Sequence, residues 1–180
     1  MSPRILGALI AGGAASRFGS DKALAPWRGR VMIGWAADAL APWCGRVVVV
    51  GRAWGGLPSV ADLPSPGLGP LGGIAGALAH AGAERFDAVM TIACDMPDVP
   101  GALIGRLLAA GGSVFCADAP ILGVWPVTLG PALVERLAGA TPGAKDGRLS
   151  IRRWALDIGA TPVPAPGPLA NVNTPADLVA

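Results

Sequence analysis

The chain has 180 residues, 52% hydrophobic and 14% charged, with a net charge of +2. That length fits one domain with a real core. The charge is too small and too scattered to make nucleic acid or an anionic membrane the main partner.

From Met1 to Ile10 the chain carries one Arg and a short apolar stretch that runs into Ala11-Gly12-Gly13. A secretory signal needs a longer apolar core and a cleavage site. No window approaches the roughly 20 uninterrupted apolar residues of a membrane span. Cys44, Cys94 and Cys116 have no metal-ligand spacing, and so sparse and odd a count suits a reducing compartment. The expectation is a soluble, cytoplasmic protein.

Strand-length apolar runs alternate with Ala/Leu-rich segments. Ile5–Ile10 reads as the first strand, Val31–Leu40 as a helix and Arg46–Val50 as a second strand. The four valines of the latter suit a strand buried on both faces. Pro70–Ala81 follows as a helix with Pro in its first turn, then Asp87–Cys94 as a strand and Pro100–Ala110 as a helix. Ser113–Ala117 and Gly123–Val127 read as strands, Pro131–Ala138 and Leu149–Ile158 as helices, and Ala160–Val163 as a short strand. Most of the 27 Gly and 18 Pro fall between these runs and mark turns. The alternation predicts a single α/β domain over 1–180: a doubly wound, mostly parallel sheet in three layers. Ligands of such sheets bind beyond the C-terminal strand ends, so chemistry should follow strands.

It does. The first strand runs into a glycine-rich loop whose amides could approach a phosphate, with Arg17 and Lys22 adding positive charge. The loop lacks both the P-loop and the GxGxxG spacing, and a flexible turn with two solvated cations explains it equally well. Asp95 ends the Ala88–Cys94 run, where a carboxylate either holds a hard cation or caps a turn. Asp98 reads as a cap before Pro100. Asp62 precedes a Pro/Gly-rich loop and is either a turn former or a site residue. Gly72 and Gly73 open a helix, a place for an anion or for tight packing. Arg148 and Arg152, at i and i+4, share a predicted helix face with Arg153 beside them. Asn171 and Asn173 point one way if extended, while Asn173-Thr174-Pro175 also reads as a helix start. His80, the only histidine, is read as a surface or interface residue.

Four motifs carry a resemblance. Ala11-Gly12-Gly13 through Ser16-Arg17, Gly19 and Asp21-Lys22 resembles the signature loop of molybdenum cofactor guanylyltransferases, the MobA family. Gly69-Pro70-Leu71-Gly72-Gly73, Cys94-Asp95-Met96-Pro97 and Asn171-Val172-Asn173-Thr174-Pro175 resemble its other motifs, in the family's order and over nearly the full chain. The resemblance implies a Rossmann-like nucleotidyltransferase fold and transfer of GMP from GTP to molybdopterin, with Mg²⁺ on Asp95. It implies Arg17, Lys22 and Asp95 as catalytic residues. Ile10, Ala11, Gly12, Gly13, Lys22, Asp62, Gly72 and Asp95 would bind the nucleotide, and Arg148, Arg152, Asn171 and Asn173 the pterin substrate. Further partners would be the molybdenum-insertion protein and the target molybdoenzymes.

The chain departs from the family pattern at two places. Relatives often carry a polar loop with a His-Pro pair where this chain has the brief link Asp118-Ala119-Pro120, and a polar residue where it reads Val50-Gly51-Arg52. Both touch substrate contacts. Alternatives are a sister enzyme using CTP on molybdopterin or an NTP on a sugar phosphate, and a non-catalytic relative that binds nucleotide or a partner. A dinucleotide-binding dehydrogenase is disfavoured by the glycine spacing and by the missing acidic residue after the second strand.

Overall fold

The computed structural model describes residues 3–12, 22–143 and 147–169. Nine strands and five helices follow one another there: β1 (Ile5–Ile10), β2 (Pro26–Trp27), β3 (Arg30–Val31), α1 (Met32–Leu40), β4 (Arg46–Val50), β5 (Ser59–Val60), α2 (Gly69–Ala83), β6 (Ala88–Ala93), α3 (Gly101–Ala110), β7 (Val114–Cys116), β8 (Gly123–Pro126), α4 (Gly130–Leu137), α5 (Ile151–Asp157) and β9 (Thr161–Val163). Seven strands form one sheet in the order β5-β4-β1-β6-β8-β7-β9. β8 runs antiparallel to β6 and β7, and the other pairings are parallel. The expected doubly wound, mostly parallel three-layer sheet is what forms.

β1 is buried at every position, and its alternation sends Leu6, Ala8 and Ile10 to one face and Ile5 and Leu9 to the other. The first face packs Leu71, Ile74 and Leu78 of α2, Leu133 of α4 and Trp154 of α5. The second packs Ile33 and Leu40 of α1 with Leu103 and Leu107 of α3. Each fully buried aliphatic contributes about 1.5–3 kcal/mol relative to exposure, so the central strands are the most firmly held part of the molecule.

Three local readings need correction. The segment before α1 holds a small hairpin, β2–β3, turned by Arg28 and Gly29 at φ 47° and 79°. Asp98 is no cap: α3 starts after Pro100 without a side-chain cap, and Asp98 instead lies 3.5 Å from Arg28, both exposed. The last helix starts at Ile151, because Gly147 turns at φ 76° and the Ser150 hydroxyl accepts the Arg153 N–H at 3.3 Å. Arg148 therefore precedes the helix and shares no face of it with Arg152. No helix among the described residues is long and apolar enough to cross a membrane.

Candidate active site

The strand order changes direction at β1. The chain moves outward from β1 to β4 and β5, then returns through α2 to β6 on the other side. A crevice opens where neighbouring crossovers part in this way. Ile10 pairs with both Val50 and Ala93, so the ends of β1, β4 and β6 lie level along this rim.

The rim is built by backbone economy. The Ala11 N–H donates to the Val50 carbonyl at 3.0 Å, and the Ile10 carbonyl accepts from Cys94 N–H at 3.2 Å. Ile10 is a core residue, 4% exposed. The Ile10 carbonyl and the Ala11 N–H, in the two residues predicted to bind nucleotide ahead of the glycines, thus tie the end of β1 to its neighbours, and the next amide is that of Gly12. Gly12 faces Gly51, which turns at φ 84° after β4. A Cβ on Gly51 would stand 2.7 Å from the Gly12 Cα, and only glycine leaves room for this approach. Asp62, two residues past β5, closes the group: a Cβ on Gly12 would sit 3.5 Å from its Oδ2.

Asp62 is half-buried, and its Oδ1 is sealed from solvent without a hydrogen-bond partner among the described residues. Burial raises its carboxyl above the ordinary carboxylate range, and the Gly67 N–H bond works in the opposite, lesser sense. The Gly67 N–H bond makes Asp62 part of the turn, and its carboxylate borders Gly12. Gly72 and Gly73 are closely packed. A Cβ on Gly72 would meet the Leu68 Cβ at 3.2 Å and one on Gly73 the Ile10 Cγ2 at 3.2 Å. The Gly72 carbonyl also accepts the Leu63 N–H at 3.0 Å, fastening the first turn of α2 to the chain after Asp62.

On the other side of the switch point, Asp95 follows β6 and is half-buried, in a turn closed by Met96 N–H to the Ala93 carbonyl at 3.2 Å. A cleft of about 520 Å³ opens beside it, lined by Asp95, Asp118, the Ala119–Ile121 link, Leu149 and Arg152. Arg152 belongs to this cleft and its guanidinium donates to the Ala117 carbonyl. Arg148 is exposed, and its carbonyl accepts the Arg136 Nε–H at 3.5 Å. Among the described residues no three His, Cys, Asp or Glu side chains gather as a metal cage.

Lys22 opens a short 3-10 turn, Lys22–Leu24, while Gly13, Arg17, Asn171 and Asn173 lie outside the described residues. His80 is half-buried late in α2, with Nε2 enclosed and without a hydrogen-bond partner among the described residues. Sequence reasoning gave no role to Gly51, although a glycine directly after a four-valine strand is a visible signal for a positive-φ turn.

A family model described as the MobA-like NTP transferase domain matches residues 7–158. The molybdenum cofactor guanylyltransferase of Rhodobacter capsulatus is 35% identical, over 97% of this chain and 93% of that protein. The enzyme of the same name from Cereibacter sphaeroides (strain ATCC 17029) is 33% identical, over 97% of this chain and 94% of its own. Among solved structures, the molybdopterin-guanine dinucleotide biosynthesis protein A of Archaeoglobus fulgidus superposes with a TM-score of 0.72 at 21% identity, covering 97% of this chain and 95% of that one. This last likeness speaks to the fold alone. On the strength of the matched model and the two near full-length relatives, the chain belongs to the MobA-like NTP transferase family.

Proposed function

We propose that this nucleotidyltransferase acts in the cytoplasm on GTP, moving its GMP group to the terminal phosphate of molybdopterin. The observation that carries the reading is the shared rim: the Gly12 loop, Asp62 and Asp95 all leave C-terminal ends of parallel strands. They do so in a chain that matches a guanylyltransferase over 97% of its length.

An oxygen of the acceptor phosphate attacks the α-phosphorus of GTP. The new P–O bond forms as the bond to the β-phosphate oxygen breaks, and the electron pair leaves with pyrophosphate. The attacking group is already an anion, so no strong base is required. Charge neutralisation and in-line placement are required. The amides from Gly12 through Gly13, with Arg17 and Lys22, hold the triphosphate, and Asp62 with Gly72 borders the nucleoside side. Arg148 and Arg152 meet the acceptor phosphate, and Asn171 and Asn173 lie on the pterin side.

The donor set suits Mg²⁺, which takes one or two carboxylates and completes its shell with water and substrate phosphates. Asp95 stands as one such carboxylate, without a cage of protein ligands among the described residues. When bound there, the ion neutralises phosphate oxygens. Partners beyond the substrates are a molybdenum-insertion protein and the molybdoenzymes supplied with cofactor.

Purified protein incubated with Mg²⁺, molybdenum-loaded molybdopterin and GTP, CTP or ATP in parallel tests this by chromatography. A guanine dinucleotide from GTP alone, lost without Mg²⁺, is expected. Product from CTP would move the chain to a cytidylyl role, and no product from any nucleotide would overturn the reading. Asp95→Ala should keep the fold and lose roughly a hundredfold in rate, about 3 kcal/mol of transition-state stabilisation. Full activity in that variant would remove Asp95 from the site.

A further inference from the structure

The acceptor cleft beside Asp95 contains a carboxylate that phosphate chemistry does not explain. Arg152, and a cation on Asp95, attract anions. Asp118 lines the same cleft and, ionised, only accepts hydrogen bonds. A phosphate would be repelled there, so the carboxylate calls for a group with N–H donors.

Asp118 is held in place for such a task. Asp118 is exposed at the mouth of the cleft, and its Oδ2 accepts the Ala165 N–H at 2.9 Å. The backbone just before it is fixed by Ala117 N–H to the Val163 carbonyl at 2.9 Å and by the Arg152 guanidinium on the Ala117 carbonyl. Just after it, the Thr91 hydroxyl donates to the Ile121 carbonyl at 2.6 Å. A carboxylate tethered once and carried on so well fixed a backbone presents its oxygens in a defined direction. From Ala117 to Leu122 every other residue is apolar, so Asp118 is the one side chain of this link that can read a polar edge. Ala119, Pro120 and Ile121, together with Leu149, give the cleft an apolar lining suited to the faces of a flat ring.

We propose that Asp118 determines acceptor specificity by accepting paired hydrogen bonds from the 2-amino and ring N–H groups of an amino-pyrimidinone ring, the donor edge of a pterin. The inference rests on the molybdopterin reading above. The ring lies against the apolar lining with its donor edge on Asp118, while its phosphate tail extends toward Arg152 and Asp95. The bonding is charge-assisted and bidentate.

Asp118→Asn tests it, because the amide oxygen can still accept the Ala165 N–H and the link stays tethered. Steady-state kinetics with GTP, Mg²⁺ and molybdopterin should show the acceptor KM raised roughly 10- to 100-fold. The GTP KM, the Mg²⁺ dependence and the Tm should stay near wild type. In competition, wild-type protein should favour a pterin phosphate over its 2-oxo (lumazine) analogue, and Asp118→Asn should lose that preference. An unchanged acceptor KM with wild-type discrimination retained would overturn the inference and leave the guanylyltransferase reading intact. A change confined to the Mg²⁺ or GTP dependence would also overturn it, placing the carboxylate on the metal side. Failure of the wild-type protein to accept molybdopterin at all would overturn both.

Discussion

Gly51→Ala should damage the nucleotide side of the site, and its effect can be separated into two parts. Gly51 turns at φ 84°, a left-handed conformation that costs an alanine about 1 kcal/mol. The added methyl would also lie 2.7 Å from the Gly12 Cα and 2.9 Å from its nitrogen, well inside the usual 3.5–4.0 Å carbon contact. Relieving that overlap means moving Gly12 by about 1 Å, an overpacking cost of roughly 1–3 kcal/mol. The sum, about 3 kcal/mol, lowers the Tm of a chain this size by roughly 6–12 °C. Gly29→Ala is the control: its φ is 79°, but a Cβ there meets nothing within 4 Å. It should lose about 1 kcal/mol, roughly 2–4 °C. Thermal melts and nucleotide KM values on both variants provide the assay. A 1 Å shift of the loop should raise the GTP KM at least tenfold in Gly51→Ala, misplacements of that size being costly at reaction centres, and leave it unchanged in Gly29→Ala. If both variants melt alike and bind nucleotide like wild type, the close approach of Gly12 and Gly51 does not position the loop.

Three further outcomes are expected. Burial raises the Asp62 carboxyl, so the folded protein keeps a proton at a pH where the unfolded chain has lost it. Stability from this group is fully present below the unfolded carboxylate value and is lost as pH climbs through the raised one. The Tm of Asp62→Asn minus that of wild type should therefore increase from about pH 4 to about pH 7, and a flat or falling difference would contradict the burial argument. Thr91→Val strands two groups at once, the Trp125 Nε1–H that donates to Thr91 at 2.9 Å and the Ile121 carbonyl that accepts from it. At about 1–3 kcal/mol for each orphaned group, denaturant melts should show a loss of about 3 kcal/mol, and a loss under 1 kcal/mol would mean the network is dispensable. The Cys44 thiol is pushed up to about 12 by burial. Its alkylation at about pH 8 should then run roughly a thousandfold slower than that of a free thiol, as peptide mass mapping can follow.

The parts of the fold with a strong period were visible in the residues. The Val47–Val50 run, the apolar run of β1 and the Ala/Leu-rich segment of α2 each depend on their own sequence, and all three formed as expected. What escaped depends on partners far along the chain. Asp98 looks like a cap locally, yet its neighbour in space is Arg28, on a hairpin too short to show a period. The start of the last helix was misplaced because hydrophobicity begins at Leu149, while Ser150 sets the first turn. At the site, Asp62 and Asp95 could be named from their places after strands. That Gly51 lets Gly12 lie close beside it and Asp62 could not, because the contact joins the ends of three strands whose order in the sheet no local pattern encodes.

The reversed strand β8 has a consequence for how such an enzyme can change. Because β8 returns antiparallel between β6 and β7, the link 117–122 is a hairpin loop on the rim that also carries Asp95. Its base is nailed down by Thr91 and the sheet ladder, Ala119 and Ile121 lean on the core, and Asp118 and Pro120 are left as the side chains at the tip that do not belong to it. Insertions, deletions and new side chains can therefore accumulate at the tip while the Gly12–Asp62 side, built from crowded glycines, tolerates almost none. One wall of the cleft is free to drift toward new acceptors and the other is frozen. A family built on this frame can diversify what it modifies without relearning how to handle a nucleotide.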